Sequence, residues 1–162
     1  MNNHYATYLE RKYEPLYSGQ YGGFAVGDGW FDIINHLSRT MCSKWLVAKE
    51  EYEFTLTSGT TYWGKNSTPE ILAELKGRVE VAYQAVPRVQ QVKEKFGTLR
   101  FYTTSIDERQ NAAIAFAESL SGHICEVCGD RGRRRSTGWI QTLCNTHFQL
   151  HKKRQQEEYG DC

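Results

Sequence analysis

The sequence predicts an α+β fold: a small antiparallel sheet packed with several helices, followed by a C-terminal module organised by cysteines. Three observations predict it. Trp30, Ile33, Ile34, Leu37, Met41, Trp45 and Leu46 recur at helical spacing and form one apolar stripe. On either side of Gly97 lie two β-type runs, and in the second Leu99 and Phe101 alternate with Arg100 and Tyr102, so one face is apolar. Near the end of the chain, Cys125, Cys128, Cys144 and His147 read C-x2-C, fifteen residues, then C-x2-H. The expected division is a core over residues 1–122 and a module with its own C-terminal helix over residues 123–162, packed on that core.

The elements follow in chain order. Tyr5, Leu9, Tyr13 and Leu16 predict a helix over residues 4–17, which Pro15 and Gly19 close. Residues 19–29 hold five glycines and predict a loop; no G-x-G-x-x-G follows a strand, so no nucleotide fingerprint is read there. A long helix is expected from Gly29 to Tyr52, with Asp28 as its N-cap. Phe54–Thr57, Ser58-Gly59 and Thr60–Trp63 predict a small β-hairpin, since both arms are rich in β-branched and aromatic residues. Ser67-Thr68-Pro69-Glu70 opens a helix that fades before Pro87. Residues 89–96 and 98–103 predict two strands about a turn or bulge at Gly97. Ser105-Ile106-Asp107-Glu108 starts a helix that Gly122 ends. Residues 137–143 predict a short strand and residues 147–158 a final helix.

The cysteine spacing carries chemistry. A C-x2-C pair wraps one metal ion through a tight knuckle, and a second pair closes the tetrahedron. Three thiolates and an imidazole suit Zn²⁺, and four protein ligands leave no position for water, which predicts a structural ion. His147 is the preferred fourth ligand because Cys144-Asn145-Thr146-His147 mirrors the first knuckle; His151 and His123 are the alternatives. Two reduced cysteine pairs, or a redox disulfide, are the competing reading of the same residues. Cys42 and Cys162 stand apart, the first expected as a buried thiol and the second as a tail residue.

Composition sets the context. With 40% hydrophobic and 24% charged residues the chain matches ordinary globular proteins. The polar start and the lack of an apolar run of about 18 residues predict neither a secretory signal nor a membrane span. Clustered thiols with metal spacing fit a reducing, intracellular compartment. The formal net charge is +1, unevenly spread. Between residues 123 and 154, seven Lys and Arg face only Glu126 and Asp130, so the cysteine module is the basic part of the molecule.

The chain resembles a family of small phage and prophage proteins. The resemblance rests on Val92-Lys93-Glu94-Lys95-Phe96-Gly97-Thr98-Leu99-Arg100-Phe101-Tyr102, the helix after it, and Cys125-x2-Cys128, Gly138-Trp139-Ile140 and Leu143-Cys144-x2-His147. Gly27-Asp28-Gly29-Trp30 is a weaker match. The resemblance implies a viral or prophage origin and action in the host cytoplasm. It brings no activity with it; by analogy with small accessory phage proteins, the expected role is to bind a host factor, as in antagonism of a defence system.

A catalytic constellation is not evident: there is no P-loop, H-E-x-x-H or G-x-S-x-G, and no Asp-His pair. A zinc-knuckle nuclease, the enzyme alternative, needs a further histidine to hold a catalytic metal, and with His147 used only His123 and His151 remain nearby. The expectation is therefore a protein that acts by binding. Tyr17, Tyr21, Phe24, Tyr62 and Trp63 are the candidate anchors for a host protein, because aromatic rings dominate interface energetics. The alternative partner is nucleic acid or a phosphate ligand, met by Arg131, Arg133, Arg134 and Arg135 on an exposed loop, with Trp139 adding stacking.

Overall fold

The computed structural model describes residues 1–137 and 139–159. Its N-terminal helix α1 (Asn3–Lys12) is capped by Asn2, whose side chain accepts from the Tyr5 N–H at 2.9 Å. The chain bends at buried Tyr13 and continues as the four-residue α2 (Glu14–Tyr17), with Pro15 in its first turn. A two-residue strand β1 (Phe24–Ala25) precedes a 3₁₀ turn over Asp28–Trp30. Asp28 is not a helix N-cap; its carboxylate accepts from the backbone and side chain of Asn2 at 2.6 and 2.7 Å.

The predicted long helix is two helices, α3 (Phe31–Met41) and α4 (Ser43–Ser58), broken at Cys42. The stripe survives the break: Trp30, Ile33, Ile34, Leu37, Met41 and Trp45 are buried in one core with Leu9, Tyr13 and Leu16. Cys42 is fully buried there, and burial pushes its thiol up to about 12.

The hairpin expected at Phe54–Trp63 does not form. Residues 54–58 are the last turn of α4, which Gly59 ends in the left-handed conformation, φ 73°. Propensity lost to local bonding and packing. Thr55 is buried, α4 packs along α5 (Pro69–Gln84), and the Thr55 and Thr57 hydroxyls donate to the carbonyls of Glu51 and Glu53, both at 2.8 Å. Helix α5 begins where the sequence places it, with Pro69 at its first position and Thr68 accepting from Ile71 N–H at 3.3 Å.

Strands β2 (Val89–Lys95) and β3 (Thr98–Thr103) pair antiparallel, with Val92 opposite Phe101 and Lys95 opposite Thr98. The two-residue turn places Phe96 and Gly97 at φ 54° and 77°, as a type I′ turn requires. The short β1 joins β2 in parallel, so the three-stranded sheet is mixed rather than purely antiparallel. Helix α6 (Glu108–Ser121) opens with a capping box between Asp107 and Gln110. It lies along β3, and its side chains occupy that strand's open edge: Ser121 accepts from Leu99 N–H at 2.8 Å and Glu118 from Phe101 N–H at 3.0 Å. An edge closed this way offers no template for another strand.

The C-terminal region is a second hairpin, β4 (Arg133–Thr137) and β5 (Trp139–Leu143), followed by α7 (Asn145–Tyr159). It has its own small apolar cluster of Cys125, Leu143 and Cys144 with Phe148 against it. Among the described residues, no helix is long and apolar enough to cross a membrane.

Candidate metal centre

The first cysteine pair forms a tight knuckle. In Cys125-Glu126-Val127-Cys128-Gly129, the Gly129 N–H donates to Cys125 O at 2.9 Å and Gly129 takes φ 82°, while Cys125 N–H donates to Asp130 O at 2.7 Å. This tight loop turns both sulfurs to one side. Strand β5 then delivers Cys144 to the start of α7, and one helical turn places His147 beside it.

The four donor atoms lie within 4.8 Å of one another. Cys128 Sγ and Cys144 Sγ are 3.9 Å apart; His147 Nδ1 is 3.6 Å from Cys125 Sγ and 3.2 Å from Cys144 Sγ. Tetrahedral bonds of about 2.3 Å to sulfur and about 2.05 Å to nitrogen separate donors by about 3.8 Å (S···S) and about 3.6 Å (S···N). The cluster therefore has the dimensions to hold one metal ion through Nδ1 of His147. His151 and His123 are not part of it; His151 Nδ1 is enclosed without a hydrogen-bond partner among the described residues, and His123 is exposed. None of the four described cysteines is in a disulfide; Cys162 lies outside the described residues.

Two thiols of the cluster titrate apart. The His147 N–H donates to Cys144 Sγ at 3.4 Å and lowers that thiol to about 7. Desolvation, reinforced by the neighbouring sulfurs of Cys125 and Cys144, pushes Cys128 up to about 12. A bound divalent cation overrides both, because coordination deprotonates a thiol outright.

The Cys₃His cluster is fastened to the core through contacts the sequence did not announce as a site. Gly29 N–H donates to Glu126 O at 2.8 Å, Gly27 N–H to Glu126 Oε1 at 3.0 Å, and Trp30 Nε1–H to Ile124 O at 2.8 Å. A Cβ on Gly29 would stand 2.1 Å from Cys125 O, and one on Gly27 2.2 Å from Glu126 O. The Gly-Asp-Gly-Trp motif is thus a backbone seat for the knuckle; the paired glycines and tryptophan were the signal available in the sequence. Glu126 is buried against it, and burial raises its carboxyl above the usual range. On the other side, Thr142 Oγ1–H donates to Gly97 O at 2.5 Å, tying β5 to the β2–β3 turn.

The remaining predicted residues scatter. Arg133, Arg134 and Arg135 are not on a loop but on β4; pairing with β5 extends the segment and sends alternate residues to opposite faces. Arg131, Arg133 and Arg135 line one groove of about 420 Å³, and Arg134 is not among its walls. Arg135 is half-buried, donates from Nη2 to Asn145 Oδ1 at 2.6 Å and lies over the Phe148 ring at 4.4 Å. Trp139 lies elsewhere, donating to Glu94 Oε2 at 3.2 Å and lining a cavity of about 460 Å³ with Phe96 and Lys95. Arginines and tryptophan therefore do not form one strip. Tyr17, expected as an exposed anchor, is buried and its hydroxyl shares a 2.6 Å hydrogen bond with Ser38. Tyr21 and Phe24 are half-buried against it, with ring centroids 5.5 and 5.2 Å from that of Tyr17. Tyr62 and Trp63 do lie exposed, on the loop between α4 and α5. A largely apolar cavity of about 410 Å³ between α3 and α6 contains none of the predicted site residues.

Comparison of the chain with protein-family models, curated proteins and solved structures returned no match.

Proposed function

We propose that this is a non-catalytic zinc-binding protein that engages a partner protein through the aromatic tip of the α4–α5 helical hairpin. The ion of the Cys₃His cluster is Zn²⁺, the borderline-soft metal that three thiolates and an imidazole favour, and its role is structural because the protein completes the tetrahedron.

The exposure of Trp63 carries the partner reading. Its side chain is 86% exposed at the end of a loop that is itself well tied: Thr61 N–H donates to Lys65 O at 2.8 Å, Gly64 N–H to Thr61 O at 3.0 Å, and Ser67 N–H to Gly59 O at 2.8 Å. Tyr62 stacks on Phe54 with centroids 4.5 Å apart. A large apolar ring held out on a rigid support loses little conformational entropy on docking. The resemblance to phage and prophage proteins supplies the partner's class: a host factor, bound in the host cytoplasm, as an antagonist of a defence system would bind its target.

The test is capture from bacterial lysate by the tagged full chain, with nuclease present, beside the Trp63→Ala variant. The expected result is a stoichiometric protein partner that the variant loses. Failure to retain any protein, or equal retention by Trp63→Ala, would remove this reading.

A further inference from the structure

We infer that the groove between the knuckle and the start of α7 is a binding site for the phosphate group of a nucleotide-sized ligand. Its walls include His123, Arg131, Arg133, Arg135, Cys144 and Asn145, they contain no carboxylate, and its volume is about 420 Å³. That volume lies in the range of small-ligand pockets.

The convergence of the arginines has a local cause. Gly132 N–H donates to His123 O at 2.8 Å, and a Cβ at Gly132 would stand 2.8 Å from Cys125 N. The chain is pinned against the knuckle at this glycine, with Arg131 and Arg133 on either side of it. Both are exposed, and among the described residues neither makes an ion pair. Like charges that line one groove repel each other, and an anion between them relieves that repulsion. Arg135 is held ready by Asn145 and Phe148, and its Nε–H is enclosed with no acceptor among the described residues. The fifteen-residue α7 begins at Asn145, a wall of the groove, so the positive end of its dipole adds to the same field.

The opposing charge is modest. Zn²⁺ with three thiolates carries one negative charge beside Cys144, against three guanidinium groups. A phosphate presents pairs of oxygens that match the guanidinium fork and carries up to two negative charges, which suits three guanidinium groups better than the single charge of a carboxylate. Trp139 lies outside the groove, so base stacking on it is not part of the site.

The experiment is titration calorimetry on the zinc-loaded full chain with adenosine monophosphate, adenosine, and an oligonucleotide lacking terminal phosphates. Adenosine monophosphate is expected to bind and adenosine not. The Arg131→Ala/Arg133→Ala double variant should lose about tenfold or more in affinity, as expected when two charge-assisted contacts go. Arg134→Ala, of equal charge change but outside the groove, should bind as the parent does. Matching melting temperatures of the three proteins show that the fold is kept. No binding of adenosine monophosphate at millimolar concentration overturns the inference, as does equal loss on Arg134→Ala. Tighter binding of the oligonucleotide, sensitive to the same double variant, overturns the small-ligand assignment in favour of a nucleic-acid backbone. None of these outcomes depends on Trp63, so the partner-protein reading stands or falls separately.

Discussion

Two glycines and a histidine decide most at the residue scale. Gly29 and Gly27 let the knuckle backbone approach within a distance no side chain permits. Gly29→Ala should therefore cost about 1–3 kcal/mol of stability, the usual range for overpacking, read as a lowered urea midpoint. An unchanged midpoint would show that the knuckle is not seated there. Trp30→Phe keeps most of the apolar burial but strips Ile124 O of its donor, and should cost about 1–3 kcal/mol. His147 is placed in the cluster by Nδ1, so His147→Ala should reduce bound zinc per chain while His151→Ala leaves it unchanged. Zinc content by mass spectrometry of the native proteins distinguishes the two. Cys42 illustrates the contrasting case of a thiol outside the cluster: its burial and raised pKa predict that it resists alkylation until the protein unfolds.

Periodicity was a dependable guide at the scale of elements, whereas capping signals marked the helix starts near Pro69 and Glu108 but failed at Asp28, and β-propensity misled. The stripe from Trp30 to Trp45 is buried as its spacing implies, and the helix starts at Pro69 and Glu108 fall beside their capping residues. Phe54–Trp63 failed because β-propensity measures fit to a sheet surface, and here a neighbouring helix supplies the surface instead. The β2–β3 turn keeps a local conflict: Phe96 is an exposed aromatic residue at a positive φ that suits Asn or Gly. Phe96→Asn should stabilise the hairpin by about 1 kcal/mol, since a bulky side chain in the left-handed region costs about that much. Thermal unfolding of the variant checks it, and a lower melting temperature would mean that the ring's contacts outweigh the strain.

At the scale of the whole molecule, the Cys₃His cluster is joined to more than its own loop. The knuckle rests on the 3₁₀ turn at Asp28–Trp30, β5 is tied to the β2–β3 turn, and α7 starts directly after Cys144 and carries His147 in its first turn. Removing zinc with a chelator, or the Cys125→Ser change, should release this assembly together. Amide hydrogen exchange is expected to accelerate across residues 124–149 and to spread to residues 27–30, while the core around Tyr17 and Leu37 stays protected. Protection unchanged after metal loss would mean that packing alone holds the module. The sequence by itself determined the α+β class, the apolar stripe, the strand pair about Gly97 and the ligand spacing, because each is a local pattern read within a few turns of chain. Only the tertiary structure decided which histidine joins the cysteines, that Tyr17 is core, that the arginines separate across a strand, and that Gly27-Asp28-Gly29-Trp30 seats the knuckle. Those outcomes depend on contacts between residues up to about a hundred positions apart, such as Gly27 with Glu126, and such long-range contacts have no signature in local periodicity.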